Sequence, residues 1–231
     1  MLRQNIQGVS TSAPEVTEGR LGSLLHQADE LELIAQLLAC PPGEDAIHAG
    51  RQAELLGNGS VDDVAVEFTR LFSAPPSVVS PYQSVYTDVL TMESGPSIDD
   101  GCGAAFPGGE FRGYLGGPSI ADLNIWYREA GFKAPDGELS DHISVELAFM
   151  AHLMYAEAAT IKRVDEEGAV AWAQLRVNFF ERFLGRWLRV FAERLSAAAG
   201  DAGEYSGVAI KLRTIADQPS NSNKFVPSGE K

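Results

Sequence analysis

His142 and Glu146 are the residues of this chain whose types and spacing come nearest to a catalytic pair. They are four residues apart, so on a helix they share one face and could serve as an acid and a base, or as half of a metal site. A hydrogen bond on the helix surface explains the same spacing, and we favour it. The preceding Asp141 suits the start of that helix, because a carboxylate there interacts with free N–H groups and the positive end of the dipole.

Other signatures of catalysis or cofactor binding are missing from the sequence. A helical two-metal site needs Glu-x-x-His pairs, and none of the four histidines follows a glutamate by three residues: His26, His48, His142 and His152. Cys40 and Cys102 stand alone, so we expect free thiols rather than a zinc site or a disulfide. The glycines of residues 94–117 fit neither a phosphate loop nor a dinucleotide fingerprint. We therefore predict that the protein is not an enzyme and holds no metal or other cofactor.

Helical periodicity dominates the chain and must position these residues. It predicts helices over residues 17–39, 46–56, 60–72, 119–130, 140 or 141–164, 166–199 with a break near Gly185, and 205–216. Residues 82–92 are predicted to form a short helix or an ordered turn. Ser60 with Asp63, and Ser119 with Asp122, predict two capped helix starts, and Gly131 predicts a helix end. No stretch alternates as a strand does, so we predict an all-α, single-domain bundle of about eight to eleven helices.

The chain is predicted to consist of one helical domain with irregular ends. The domain covers residues 17–217, and the helix beginning near Asp141 is predicted to lie at its centre. Residues 94–117 are expected to form a long glycine-rich loop. Residues 1–16 are expected to be flexible, and the polar composition of residues 218–231 predicts a disordered tail.

Composition narrows the range of partners. The chain has 18 Lys and Arg residues against 32 Asp and Glu, a formal charge of −14, which should repel nucleic acid and anionic membranes and attract cationic partners. Solubility alone is an equally good explanation of this charge. Neither a secretory signal nor an apolar stretch long enough to span a membrane is present in the sequence, so we expect a cytoplasmic protein without direct membrane insertion.

Three segments, in order along the chain, resemble the signatures of one family. They are EFTRLF at 67–72 with SPYQSVY at 80–86, DHISVELAFM at 141–150, and FLGRW at 183–187 followed by Phe191. With YREAGF at 127–132, they resemble the TorD/DmsD/NarJ-type redox-enzyme maturation chaperones over roughly residues 21–216. The chain departs from the family pattern at Gln83, Ser140 and Phe183, where glutamate, proline and histidine are frequent.

The resemblance implies an all-helical, TorD-like chaperone for the catalytic subunit of a molybdenum-containing oxidoreductase. Such chaperones bind the twin-arginine signal peptide or another segment of that subunit, assist cofactor insertion and prevent premature export. Some relatives are reported to bind guanine nucleotide, and the family includes monomers and helix-exchanged dimers. Transferred by position, the resemblance implies a peptide-binding surface at Phe68, Leu71, Phe72, Tyr82, Asp141 and His142.

The residue chemistry agrees with a peptide that carries a cationic pair followed by an apolar stretch. Its receptor needs carboxylates beside an apolar groove, and Asp141, Glu146 and Glu67 could supply the carboxylates. The aromatic and leucine side chains would form the groove, although Phe68 and Leu71 are better explained as core residues. Two other functions stay open: an enzyme with a helical small-molecule pocket near His142 and Glu146, and a helical adaptor unrelated to redox enzymes.

Overall fold

The computed structural model describes residues 13–73, 77–92 and 109–218, and helices make up most of them. The α-helices of these ranges are α1 (Ala13–Ala39), α2 (Glu44–Gln52), α3 (Val61–Phe68), α4 (Ser84–Thr87), α5 (Ser119–Glu129), α6 (Ile143–Lys162), α7 (Glu166–Arg182), α8 (Leu188–Ala199) and α9 (Ser206–Asp217). A π-helical turn, Thr69–Ser73, continues α3, and a 3₁₀ turn, Leu184–Arg186, separates α7 from α8. The predicted all-α fold is confirmed.

Helix α6 lies at the centre of the bundle, as the sequence predicted. It packs against both α1 and α7, while α8 packs against α9. Its apolar stripe is buried, with Ile143 and Leu147 fully inaccessible and Met150 and Met154 nearly so. Burial of each such side chain contributes roughly 1.5–3 kcal/mol to folding, so α6 is a firm support for residues attached to its ends.

Several helix ends follow from local sequence signals. Ser60 and Asp63 form the predicted capping box of α3: the N–H of Asp63 donates to Ser60 Oγ (3.1 Å), and the N–H of Ser60 donates to Asp63 Oδ2 (2.7 Å). Gly131 has a φ of +68° just after α5, which favours glycine there. The long stretch 166–199 breaks at the 3₁₀ turn that contains Gly185. These three predictions are confirmed.

Two predicted helix N-caps are wrong. Pro118 occupies the cap position of α5, while the N–H and Oγ of Ser119 both donate to Asp88 Oδ2 (3.0 and 2.8 Å). The N-cap of α6 is His142 rather than Asp141, whose carboxylate bonds to another segment of the chain. Both differences arise from bonds between residues that are distant in sequence, which local spacing does not reveal.

A short β-ribbon is an element that the sequence analysis missed. Leu90–Met92 (β1) pairs antiparallel with Gly109–Phe111 (β2), and Leu90 lies opposite Phe111. The second strand falls inside the predicted loop of residues 94–117, so that loop is partly strand. Three-residue strands are too short to show a recognisable alternation. The predicted loop's residues 94–108 lie outside the described residues.

The predicted chain ends are only partly described. Helix α1 begins at Ala13, earlier than the predicted residue 17. Residues 1–12 of the predicted flexible N-terminus and residues 219–231 of the predicted tail lie outside the described residues. Within the described ranges, no helix combines the length and apolar character needed to cross a bilayer.

Candidate functional site

A short backbone bridge joins the two segments that carry the predicted site. The N–H of Gln83 donates to the carbonyl of Asp141, and the N–H of Ile143 donates to the carbonyl of Pro81, both at 2.8 Å. Tyr82 and His142 therefore lie opposite each other in an isolated antiparallel pair. We call residues 81–84 the strap, because they lie across the start of α6 and lead into α4.

Asp141 fixes the strap rather than its own helix. The side chain is fully buried, and its Oδ2 accepts a hydrogen bond from the N–H of Ser84 at 3.0 Å. Ser84 is the first residue of α4, so the carboxylate satisfies a free N–H at a helix start. The interaction predicted for Asp141 is of the right kind but is made with another helix.

His142 caps α6 as a neutral imidazole. Its Nδ1 accepts the N–H of Ser144 at 3.2 Å and lies 2.6 Å from Ser144 Oγ. Burial lowers the pKa of His142 to about 4, while the nearby Asp141 charge acts in the opposite direction. The Tyr82 ring packs edge-on against the imidazole, with ring centres 5.0 Å apart. His142 is therefore uncharged at neutral pH and would not repel a cation.

Glu146 is fully buried on α6, and its side chain bonds to Trp187, not to His142. Trp187 Nε1–H donates to Glu146 Oε2 at 3.3 Å. Burial raises the pKa of Glu146 well above its usual range; the Trp187 bond opposes this shift, and the charge of Asp141 adds to it. The predicted surface bond between His142 and Glu146 is therefore wrong, as His142 bonds to Ser144 instead. Within the described ranges, no group of side chains could hold a metal ion.

Four buried polar atoms at this point have no hydrogen-bond partner. They are Gln83 Oε1, Ser84 Oγ, Asp141 Oδ1 and Glu146 Oε1, and we call them the acceptor cluster. Their residues are at most 2% exposed, with Asp141, Glu146 and Ser84 completely inaccessible. Each such atom destabilises the fold by about 1–3 kcal/mol relative to a bonded one. An arrangement of this kind is retained more easily where a ligand supplies the missing donors.

Gln83 also lines a small polar cavity, so the acceptor cluster borders that cavity. The cavity has a volume of about 290 Å³ and is lined by polar and charged residues from three parts of the chain: Gln83, Asp88, Ser119, Asp122, Arg182 and Arg186. Arg182 is paired with Asp122 at 3.0 Å. The sequence analysis did not predict Gln83, Ser84 or Trp187 as site residues, although all three lie inside the segments that resemble family signatures.

The predicted apolar part of the site lies in a separate aromatic cluster. Phe68, Leu71 and Phe72 are at most 8% exposed. Phe72 stacks on Phe191 with ring centres 6.4 Å apart, and Phe191 contacts Trp187 at 5.4 Å. The aromatic cluster therefore approaches the acceptor cluster through Trp187 and Tyr86, and its members are core residues in this conformation.

Tyr82 is the one predicted site residue that is only half buried. Its hydroxyl donates to Glu138 Oε1 at 3.4 Å. Burial, followed by the charge of Glu138, raises the pKa of Tyr82. Tyr82 is therefore accessible from solvent, whereas Asp141 and Glu146 are not. The peptide-binding role of the seven residues stays a prediction.

Comparison with known proteins gives three findings. The sequence model of the nitrate reductase delta subunit family matches residues 40–193, which is more than half of the chain. The chaperone protein TorD of Photobacterium profundum is 29% identical over 147 residues, which cover 62% of this chain and 56% of that protein's length. The crystal structure of an Archaeoglobus fulgidus protein assigned to redox enzyme maturation aligns with a TM-score of 0.50 and 20% identity, covering 94% of this chain and all of that one. This last likeness shows the fold alone.

Proposed function

The chain belongs to the nitrate reductase delta subunit family, and from this premise we propose that it is a chaperone in the maturation of a redox enzyme. Membership confirms the TorD-like resemblance seen in its sequence. The relatives that it matches are named as a chaperone and as a maturation protein rather than as enzymes. The matched relative is also longer than the part it shares with this chain, so its role is transferred here as a proposal.

The proposed client is the catalytic subunit of a molybdenum-containing oxidoreductase, bound through its twin-arginine signal peptide. Holding that peptide in the cytoplasm would prevent export until the cofactor is inserted. The observation that carries the proposal is the acceptor cluster, where four buried atoms lack partners. An arginine side chain has five N–H donors in a planar fork, so one guanidinium group can donate to more than one oxygen, and Asp141 Oδ1 and Gln83 Oε1 are the two acceptors here that carry no proton.

The electrostatics of the site support a cationic guest. Asp141 is a buried carboxylate with one bonded and one unbonded oxygen, and the adjacent His142 is neutral at physiological pH. The overall charge of −14 adds a long-range attraction for a positively charged peptide. The half-buried ring of Tyr82, in the strap, has an accessible apolar face that attracts cations.

Binding requires the strap to open, because Asp141 is inaccessible in the closed form. Two backbone hydrogen bonds and one bond to Asp141 hold the strap across α6. Each of these hydrogen bonds contributes a net free energy of about 0.5–1.5 kcal/mol to the closed form, and new hydrogen bonds from a bound peptide to the acceptor cluster can offset their loss. The proposal therefore predicts that a peptide displaces the strap before its arginine reaches Asp141.

Calorimetric titration with three synthetic peptides tests the proposal. They share one apolar stretch and differ only in the preceding pair, which is Arg-Arg, Lys-Lys or Gln-Gln. We expect the order of affinity to follow that sequence, because only guanidinium satisfies several acceptors at once. The variant Asp62→Asn is the control for the loss of one negative charge, since Asp62 is an exposed acid in the first turn of α3 and does not line the cavity beside the acceptor cluster. Equal affinity for the Arg-Arg and Gln-Gln peptides would contradict the proposal.

A further inference from the structure

A second cavity lies on another part of the molecule and has no role in the function proposed above. It has a volume of about 550 Å³ and lies among α1, α6, α7 and α9. Its apolar surface comes from Leu24, Met150, Met154 and Phe180. A volume of this size is typical of small-molecule sites, and methionine side chains adapt to ligands of irregular shape.

The positive charge at this cavity is only partly neutralised. Arg20 Nη2 and Arg176 Nε bind the same carboxylate, that of the fully buried Glu157, at 2.8 and 3.1 Å. Among the residues that the structure describes, one carboxylate shared by two guanidinium groups leaves one positive charge without a counterpart. Lys211, which also lines the cavity, is paired with Glu30 at 2.5 Å. The cavity is thus locally cationic in a strongly acidic chain.

Arg20 also has an unused donor at the cavity. Its Nε is buried and has no hydrogen-bond partner, although the side chain as a whole is 32% exposed. An N–H of a guanidinium group is matched best by an anionic oxygen. The unbonded donor belongs to one of the two guanidinium groups that share the unbalanced charge, and a small shift of the 32% exposed Arg20 side chain would bring it to the cavity. Together these observations favour an acidic head group.

We propose that this cavity binds a small amphiphilic anion, a free molecule with an apolar aromatic or acyl body and one acidic head group. The apolar body packs on Met150, Met154 and Phe180. The head group accepts from Arg20 and is attracted by the charge that Arg20 and Arg176 share. The site is separate from the strap and the acceptor cluster, so the proposal stands or falls independently of peptide binding.

Two fluorescent probes with the same aromatic body test the charge requirement. The probes are 8-anilinonaphthalene-1-sulfonate, which is anionic, and N-phenyl-1-naphthylamine, which lacks the sulfonate. We expect the anionic probe to bind the native protein with a stoichiometry of one and roughly tenfold more tightly than the neutral probe. Failure of the anionic probe to bind, or equal affinity for the two probes, would overturn the proposal.

Three variants locate the binding. Arg20→Gln should weaken the anionic probe by roughly three- to tenfold and leave the neutral probe unchanged. Ser23→Trp places a large side chain at an exposed position of the cavity rim and should abolish binding of both probes. Arg112→Gln, which removes an exposed arginine that lines neither cavity, should bind as the wild type does.

The remaining outcomes also decide the matter. Circular dichroism first confirms that each variant is native, and Gln27→Trp, also an exposed rim residue, provides a second block if Ser23→Trp does not fold. Binding that survives both folded blocking variants would place the probe elsewhere and overturn the proposal. An equal loss of both probes in Arg20→Gln would show that the charge is not recognised and would overturn it as well.

Discussion

Replacing Glu146 by glutamine tests whether the fold holds an uncharged carboxyl at the acceptor cluster. Burial raises the pKa of Glu146 well above the usual range; the hydrogen bond from Trp187 opposes the shift, and the Asp141 charge adds to it. In the unfolded chain the same carboxyl titrates near about 4.3. The folded state therefore binds a proton that the unfolded state releases, so stability from this group is present below pH ~4.3 and is lost as the pH rises toward the folded pKa.

The expected magnitude follows from the surroundings of the carboxyl. Glutamine keeps the shape and the oxygen that accepts the Trp187 N–H, and it carries no charge at any pH. Near pH 4, wild type and variant should therefore have similar stability. Near pH 8 we expect Glu146→Gln to be more stable by at least about 1–3 kcal/mol, because each pH unit between the unfolded and the folded pKa removes about 1.4 kcal/mol from the wild type and nothing from the variant. For a chain of this length, that difference raises the melting temperature by roughly 2–10 °C.

Urea and thermal unfolding, followed by circular dichroism at about pH 4, 6 and 8, measure this difference. Glu181→Gln is the matched control, because Glu181 is an exposed glutamate on α7 and its replacement removes the same charge from the surface. The stability gain of Glu146→Gln over this control should grow with pH. A gain that is independent of pH, or a loss of stability near pH 8, would refute the inference that the buried carboxyl is held uncharged.

Three further predictions concern the same region. His142→Asn keeps an N-cap side chain. Burial lowers the pKa of His142 to about 4, so the unfolded wild type binds a proton at a higher pH than the folded one. As the pH falls from about 6.5 to 4, urea unfolding should show that the wild type loses up to roughly 3 kcal/mol more free energy of unfolding than this variant. Asp141→Asn keeps an acceptor for the Ser84 N–H, so the free energy of unfolding should change by less than about 1 kcal/mol. Calorimetry should show that its affinity for the Arg-Arg peptide falls a few-fold to thirtyfold, and that this loss is larger at low salt. Phe191→Ala removes a fully buried ring between Phe72 and Trp187, and urea unfolding should show a loss of about 3–5 kcal/mol.

Features decided within one helical turn were predictable from the sequence. The Ser60 capping box depends on four consecutive residues, and the end at Gly131 depends on one backbone angle. The break near Gly185 was visible because glycine interrupts a long helical pattern. For the same reason the all-α class was predictable, whereas a ribbon of three-residue strands left no periodic signal.

The polar contacts of the site were not predictable, because distant parts of the chain make them. Asp141 stands where a helix cap is expected, yet it bonds to Ser84, which the strap brings across α6. Glu146 has the spacing of a partner for His142, yet its hydrogen bond is with Trp187, which lies between the 3₁₀ turn and α8. Residue type and spacing directed attention to Asp141 and Glu146, but only the packing of α6 against its neighbours shows what each one contacts.

The two main measurements together separate a structural from a functional reason for the acceptor cluster. If Glu146→Gln stabilises the fold and leaves Arg-Arg peptide binding unchanged, the unbonded Glu146 oxygen is a cost of folding with no role toward the client. If the same variant stabilises the fold and weakens the peptide, the chain retains a destabilising group because the client requires it. Asp141 allows a second test of the same question, because its charge raises the pKa of Glu146 and its own Oδ1 also lacks a hydrogen-bond partner. If Glu146→Gln and Asp141→Asn both lose peptide binding, the two acids serve to bind the arginine of the client and not to stabilise the fold.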